Sequence, residues 1–173
     1  MEENSMANLK TADDFVNDVK KMKMTYSYIP VFIIAFFSEC NENGVAQLDA
    51  IAQYYKYYYA QRRKDGNFVE KPDSIFCDAN VSLEDVKRNI LFNPLGRTFL
   101  TNYFKHSTMD NTIKLQSTVW ETLFMKQSKQ IIVICNERLN IYFQKLADNC
   151  KPEKWWELND YLSVFIFNTQ LWR

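Results

Sequence analysis

The sequence predicts a mainly α-helical fold with one small antiparallel β element and a C-terminal helical extension. Three observations predict it. The 173 residues include only 3 Gly and 4 Pro, too few for a loop-rich or all-β architecture. Hydrophobic residues make up 47% of the chain and aromatics 16%, ample for a packed core. Apolar residues recur at helical spacing through several segments, whereas polar and apolar residues alternate in a strand-like way only over residues 112–116.

Residues 1–10 read as a frayed terminus. Thr11 followed by Asp14 fits a capping box. A short helix then reaches about residue 23, with Phe15 and Val19 on its inner side. Its lysine-rich end, Lys20, Lys21 and Lys23, suits the negative pole of a helix. A second helix is predicted over residues 28–40. Pro30 is tolerated in its first turn, and its apolar residues imply burial on more than one face. Residues 41–44 form a turn in which Gly44 can take a positive φ.

The third helix covers residues 47–64, QLDAIAQYYKYYYAQRRK, with five tyrosines and four basic residues. Leu48, Ile51, Tyr55 and Tyr58 or Tyr59 make its apolar row. Tyr54, Lys56, Tyr57 and Lys64 fall largely outside that row. Residues 67–80 have no long period, and Phe68-Val69 and Ile75-Phe76 read as short extended pieces around Pro72. Ser82 starts the next helix, with Asp85 completing a capping box and Val81 with Val86 a hydrophobic staple. Leu83, Val86, Ile90 and Leu91 give its buried stripe, and Asn93-Pro94-Leu95-Gly96 ends it. Residues 99–115 read as the β-rich region, with a hairpin tip at 109–111. A helix over about residues 126–149 follows, its inner side traced by Ile132, Cys135, Leu139, Tyr142 or Phe143, and Leu146. Taken alone, residues 131–134 also fit a strand. Pro152 breaks the chain before a last amphipathic helix over residues 153–169.

The charges balance at 21 basic and 21 acidic residues, so the overall electrostatic footprint of a nonspecific DNA binder is missing, although a local basic face is not excluded. Cys40, Cys77, Cys135 and Cys150 are scattered without a C-x-x-C pair. They read as reduced, mostly buried thiols of a cytoplasmic protein. Residues 1–10 are polar, which argues against a secretory leader. The longest apolar run, residues 29–37, is far short of the ~20 residues of a membrane span.

No catalytic constellation is visible. The one histidine, His106, has no telling partner and reads as a surface residue. Glu84-Asp85 is explained by helix capping and the helix dipole. No glycine-rich phosphate loop and no nucleophile elbow is present. The chain is therefore expected to be non-enzymatic, with no cofactor and no metal site.

The order helix, turn, helix, capped helix, strand pair resembles a winged-helix or wider helix-turn-helix domain over residues 25–123. Residues 1–24 would be an N-terminal helical arm and residues 124–173 the C-terminal extension. A long insertion, residues 65–81, replaces the tight turn usual between the second and third helices. The segments Tyr26-Ser27-Tyr28-Ile29-Pro30-Val31-Phe32-Ile33-Ile34-Ala35-Phe36-Phe37 and Leu91-Phe92-Asn93-Pro94-Leu95 carry a more local likeness. So does the stretch from Tyr57 to Arg63 followed by Gly66 and Glu70-Lys71-Pro72. Together they resemble an accessory domain at the C-terminal end of bacterial helicase-like and restriction-type proteins of mobile and defence loci, over about residues 24–146. The resemblance brings no catalytic residues, and no helicase motor is present here.

Two readings of function follow. In the first, the chain binds DNA, or positions a nuclease or helicase on it, in a bacterial defence or mobile-element system. Tyr54 and Tyr57 would then stack on or reach bases and sugars, while Lys56, Arg62, Arg63, Lys64, Lys105 and Lys114 contact phosphates. The plainer account of these residues is a helix that buries tyrosine rings while keeping their hydroxyls wet, with cations at its C-terminus. In the second, the chain is a protein–protein module, such as a phage- or plasmid-encoded inhibitor of a nucleic-acid enzyme, or a dimerising scaffold. Trp155, Trp156, Phe165 and Trp172 would be partner anchors, and a homodimer built partly on residues 153–172 is expected.

Overall fold

The computed structural model of the chain describes residues 10–126 and 128–149. The chain is mainly α-helical, with a small antiparallel sheet. Helix α1 (Ala12–Lys21) opens with the expected box: Thr11 Oγ1 accepts the Asp14 N–H at 3.1 Å, and the Thr11 N–H reaches Asp14 Oδ2 at 2.9 Å. Phe15 and Val19 are buried, and the Tyr103 hydroxyl donates to Asp18 Oδ2 at 2.6 Å, fastening α1 to the core. Helix α2 (Tyr28–Glu39) is buried without a break from Tyr28 to Phe36. It packs against α3 (Leu48–Lys64) and α7 (Ser128–Asn149), so nearly every side of it faces protein.

The β element is larger than a strand pair. Strand β1 (Val45–Gln47) joins β2 (Phe104–Ser107) and β3 (Thr112–Leu115) in the order β1-β3-β2, antiparallel throughout. Three residues are too few to show a period of two, which is why β1 is invisible in the sequence. The preceding turn sets it up. Gly44 has φ +67°, and a Cβ there would lie 2.6 Å from Trp120 Cδ2. Trp120 is held over the turn by its Nε1–H, which donates to Glu42 O at 2.9 Å.

Other segments differ from expectation. Ile75–Cys77 is a 3₁₀ turn capped by the Ser74 hydroxyl, and residues 67–69 have no regular structure, so no extended pieces form there. Phe99–Asn102 is also 3₁₀, and strand begins only at Phe104. Helix α4 (Leu83–Phe92) ends where Asn93-Pro94 predicts, but Pro94 starts a further turn, α5 (Pro94–Arg97). Ser117–Lys126 forms a separate helix, α6, ahead of α7. The inner stripe of α7 runs Ile131, Cys135, Leu139, Phe143 and Leu146, so its first member is Ile131 rather than Ile132, and residues 131–134 are helical. The helix expected over residues 153–169 lies outside the described residues.

The insertion between α3 and α4 is anchored by one buried carboxylate. Glu70 Oε2 accepts the Ser27 N–H at 2.8 Å and the Ser27 hydroxyl; Glu70 Oε1 accepts the Lys71 N–H at 3.0 Å and the Tyr142 hydroxyl. Ser27 is the N-cap of α2 and makes no side-chain cap bond of its own. Glu70 thus supplies the cap from a distant segment, and its charge faces the positive pole of α2. Because Ser27 Oγ donates to Glu70, the Tyr59 hydroxyl 2.7 Å away must donate to Ser27. Glu70→Ala leaves these buried donors without an acceptor. It should lower stability by about 2–4 kcal/mol in urea unfolding, and a loss below ~1 kcal/mol would show that the carboxylate is not structural.

Candidate nucleic-acid interface and adjoining cleft

Helix α3 is where the aromatic and basic residues concentrate. Leu48, Ile51, Ala52, Tyr55 and Tyr59 face inward. The Tyr55 hydroxyl donates to Tyr28 O at 2.5 Å, and Tyr59 stacks on Phe76 at 4.1 Å. The hydroxyls of both tyrosines are therefore dry, against the expectation that they stay wet. Burial raises both phenols well above their ordinary range, so they remain protonated donors. Tyr54 is half-buried with its hydroxyl against Ser38, and burial raises it too. Tyr57 alone of the two proposed base contacts stands clear, at 69% exposure.

The cations of α3 are largely engaged within the chain. Lys56 Nζ donates to Val81 O at 2.7 Å. Arg62 Nε donates to Phe68 O at 2.7 Å while its guanidinium lies 3.3 Å over the Phe143 ring. Arg63 donates to Phe76 O at 2.7 Å. All three donate to carbonyls of the insertion, and of the four cations only Lys64 is exposed. A shallow cleft of about 280 Å³ gathers Lys56, Tyr57 and Arg63 with Asp78.

Lys105 and Lys114 form a separate group. They are exposed and directly opposite each other on β2 and β3, hence on one face of the hairpin. Neither makes an ion pair among the described residues. Residue 114 also pairs with Val45, just ahead of α3, so the hairpin adjoins the N-terminal end of that helix. Arg62, Arg63 and Lys64 lie at its far end, about 24 Å along the axis at ~1.5 Å per residue. The structure therefore keeps the two basic groups apart. At the near end Asp49 is bridged with Glu84 by Lys87, at 3.0 and 2.5 Å. Arg88 pairs with Asp85 at 3.2 Å. His106 is half-buried, 3.5 Å from Asn111 Oδ1. Trp155, Trp156, Phe165 and Trp172 lie outside the described residues.

Sequence reasoning missed a second concavity. A cleft of about 450 Å³ opens between the α1–α2 turn and the α4–α5 corner, lined by Lys23, Thr25, Tyr26, Tyr28, Ile29, Asn93, Pro94, Arg97, Thr98 and Phe99. The segments Tyr26-Ser27-Tyr28 and Asn93-Pro94 are the available signal, but nothing in their spacing brings them together. Tyr26 and Tyr28 stack at 4.8 Å, and the insertion orients both: Tyr26 donates to Asp73 Oδ2, and the Tyr28 hydroxyl meets Ser74 Oγ at 2.8 Å.

Among the described residues no three His, Cys, Asp or Glu side chains gather in a metal-holding group. Cys40, Cys77 and Cys135 are free thiols, and only Cys135 is buried, so the expectation of mostly buried thiols fails for the other two. Burial pushes the Cys135 thiol up to about 12. Among the described residues no helix is long and apolar enough to cross a membrane. Comparison with known proteins yields no match to a family model, a curated protein or a solved structure.

These positions separate structural from solvent-facing cations. Arg62→Ala removes a hydrogen bond and an aromatic contact and should cost about 1–2 kcal/mol. Lys64→Ala should stay within ~0.5 kcal/mol. Paired denaturant titrations check both, and equal effects would contradict the assignment.

Proposed function

We propose that the chain is a non-enzymatic, winged-helix-like module that targets nucleic acid. In this reading the β2–β3 hairpin is the phosphate-contacting wing. The observation that carries it is the pair of exposed lysines, Lys105 and Lys114, directly opposite each other with no acidic partner among the described residues. Like charges in that position repel, and an anion between them relieves the repulsion. The strand order β1-β3-β2, with β1 between α2 and α3 and the hairpin after α4 and α5, supports the winged-helix reading. A cytoplasmic accessory role beside a nuclease or helicase of a bacterial defence or mobile-element system is the setting the sequence resemblance implies.

A second reading, a protein-partner module, is favoured by α4. Its first turn carries Glu84 and Asp85, which groove entry would press against phosphates. Beside it lies a cleft of about 410 Å³, where Phe92 is 52% exposed and Asn89 Oδ1 is buried without a partner. Capture of a nucleic-acid enzyme or a second copy of the chain belongs to this reading.

The test is the double variant Lys105→Ala/Lys114→Ala. It should weaken duplex DNA binding and reduce the slope of log K against log salt by about 2, one per lost phosphate contact. Stability should stay within ~0.5 kcal/mol or rise. A wild-type chain that shifts neither DNA nor RNA at low salt would hand the function to the partner reading. Undiminished binding by the variant would move the contact to another face.

A further inference from the structure

The cleft between the α1–α2 turn and the α4–α5 corner lies apart from the hairpin lysines. Its apolar wall includes Tyr28, Pro94 and Phe99, and its polar groups include Lys23, Asn93 and Arg97. No carboxylate lines it, although acids and bases are equal in number in the chain. Lys23 and Arg97 are both exposed, and neither makes an ion pair among the described residues. The Arg97 guanidinium lies 3.7 Å over the Phe92 ring. That contact uses the face of the guanidinium and not its N–H groups, which can meet an oxyanion. Asn93 precedes α5 but makes no side-chain cap bond, so its amide can offer both a donor and an acceptor. The volume, about 450 Å³, falls in the roughly 300–1,000 Å³ range of small-ligand sites.

We propose that this cleft binds a nucleoside phosphate. The phosphate sits between Lys23 and Arg97, the base lies against Pro94 and Phe99 at the edge of Tyr28, and Asn93 addresses the base edge. A planar apolar body joined to a dianion matches an apolar wall joined to two unpaired cations. A simple inorganic anion would use only half of the site. The same chemistry is offered by a free nucleotide and by an unpaired terminal nucleotide of a strand. The inference stands on this cleft alone and needs no contact from Lys105 or Lys114.

The experiment titrates the full chain with 5′-AMP, adenosine, inorganic phosphate and a short 5′-phosphorylated oligothymidylate, followed by calorimetry. AMP or the oligonucleotide should bind, with adenosine and phosphate each about tenfold weaker or worse. Lys23→Gln/Arg97→Gln should lose about tenfold or more while remaining folded, its thermal midpoint lowered by no more than the loss of the exposed Arg97–Phe92 contact allows. Thr25→Glu, which adds a carboxylate at the exposed rim, should weaken binding in the same direction. Lys105→Ala/Lys114→Ala should leave AMP affinity intact, so failure of the hairpin reading is seen separately. Binding of AMP identifies a free nucleotide as sufficient; binding of the oligonucleotide alone, with the same loss in the cleft variants, identifies a strand end. Absence of binding by both, equal affinity for inorganic phosphate, or unchanged affinity in the Lys23/Arg97 and Thr25 variants would overturn the proposal.

Discussion

The buried carboxylate of Glu70 ties together parts of the chain that sequence order keeps far apart. It caps α2 through Ser27, accepts the Tyr142 hydroxyl from α7, and fixes the insertion between α3 and α4. No cation pairs with it among the described residues. It is instead held by hydrogen bonds from Ser27, Lys71 and Tyr142 at the positive pole of α2. Burial and this same bond raise the Tyr142 phenol, so it stays a donor to Glu70.

Once Glu70 is in place, the insertion becomes part of the core. Phe76 inserts between Tyr28, Tyr55 and Tyr59, and Ser74 and Asp73 receive the tyrosines at the start of α2. Arg62 and Arg63 close the other side by donating to insertion carbonyls. A tight helix-turn-helix joint needs only a few residues. The connection between α3 and α4 is a folded loop instead, and much of the tyrosine-rich character of α3 goes into packing against it. The abundance of tyrosine at residues 54–59 is therefore mainly a packing requirement with internal hydrogen bonds, and Tyr57 is the exception that faces solvent.

Helices with local signals were legible from sequence. Thr11 and Asp14 mark the start of α1, Ser82 the start of α4, and Asn93-Pro94 its end, because capping and ring constraints act within a few residues. The inward row of α3 was legible from its period. What escaped was set by partners distant in sequence. β1 exists because Val45–Gln47 meets β3, about 67 residues later. Glu70 reads as an ordinary loop acid until Ser27 and Tyr142 surround it. The Arg62–Arg63–Lys64 run suggests one basic patch, yet two of its members bind carbonyls, and no local pattern distinguishes such arginines from free ones. The cleft at Lys23, Asn93 and Arg97 joins segments about 70 residues apart, so spacing cannot announce it.

Net charge is an equally poor guide here, because the chain sorts its cations rather than accumulating them. Lys56, Arg62 and Arg63 serve the fold through carbonyl contacts, and Lys87 and Arg88 are neutralised by acids of α3 and α4. Among the described residues, the hairpin lysines and the cations of the α4–α5 cleft make no ion pair, and Lys20, Lys21 and Lys64 are likewise exposed without one. A flat hairpin face presenting two like charges favours a repeating anion that passes over it, such as a phosphate backbone. A concave site with an apolar wall favours a single discrete anion that enters it. As proposed sites, the two sets would select ligands of different shape, although both would select negative charge. In the proposed reading, a neutral chain carries two local anion sites without becoming a general polyanion binder, because screening limits each set to its own neighbourhood of about 10 Å.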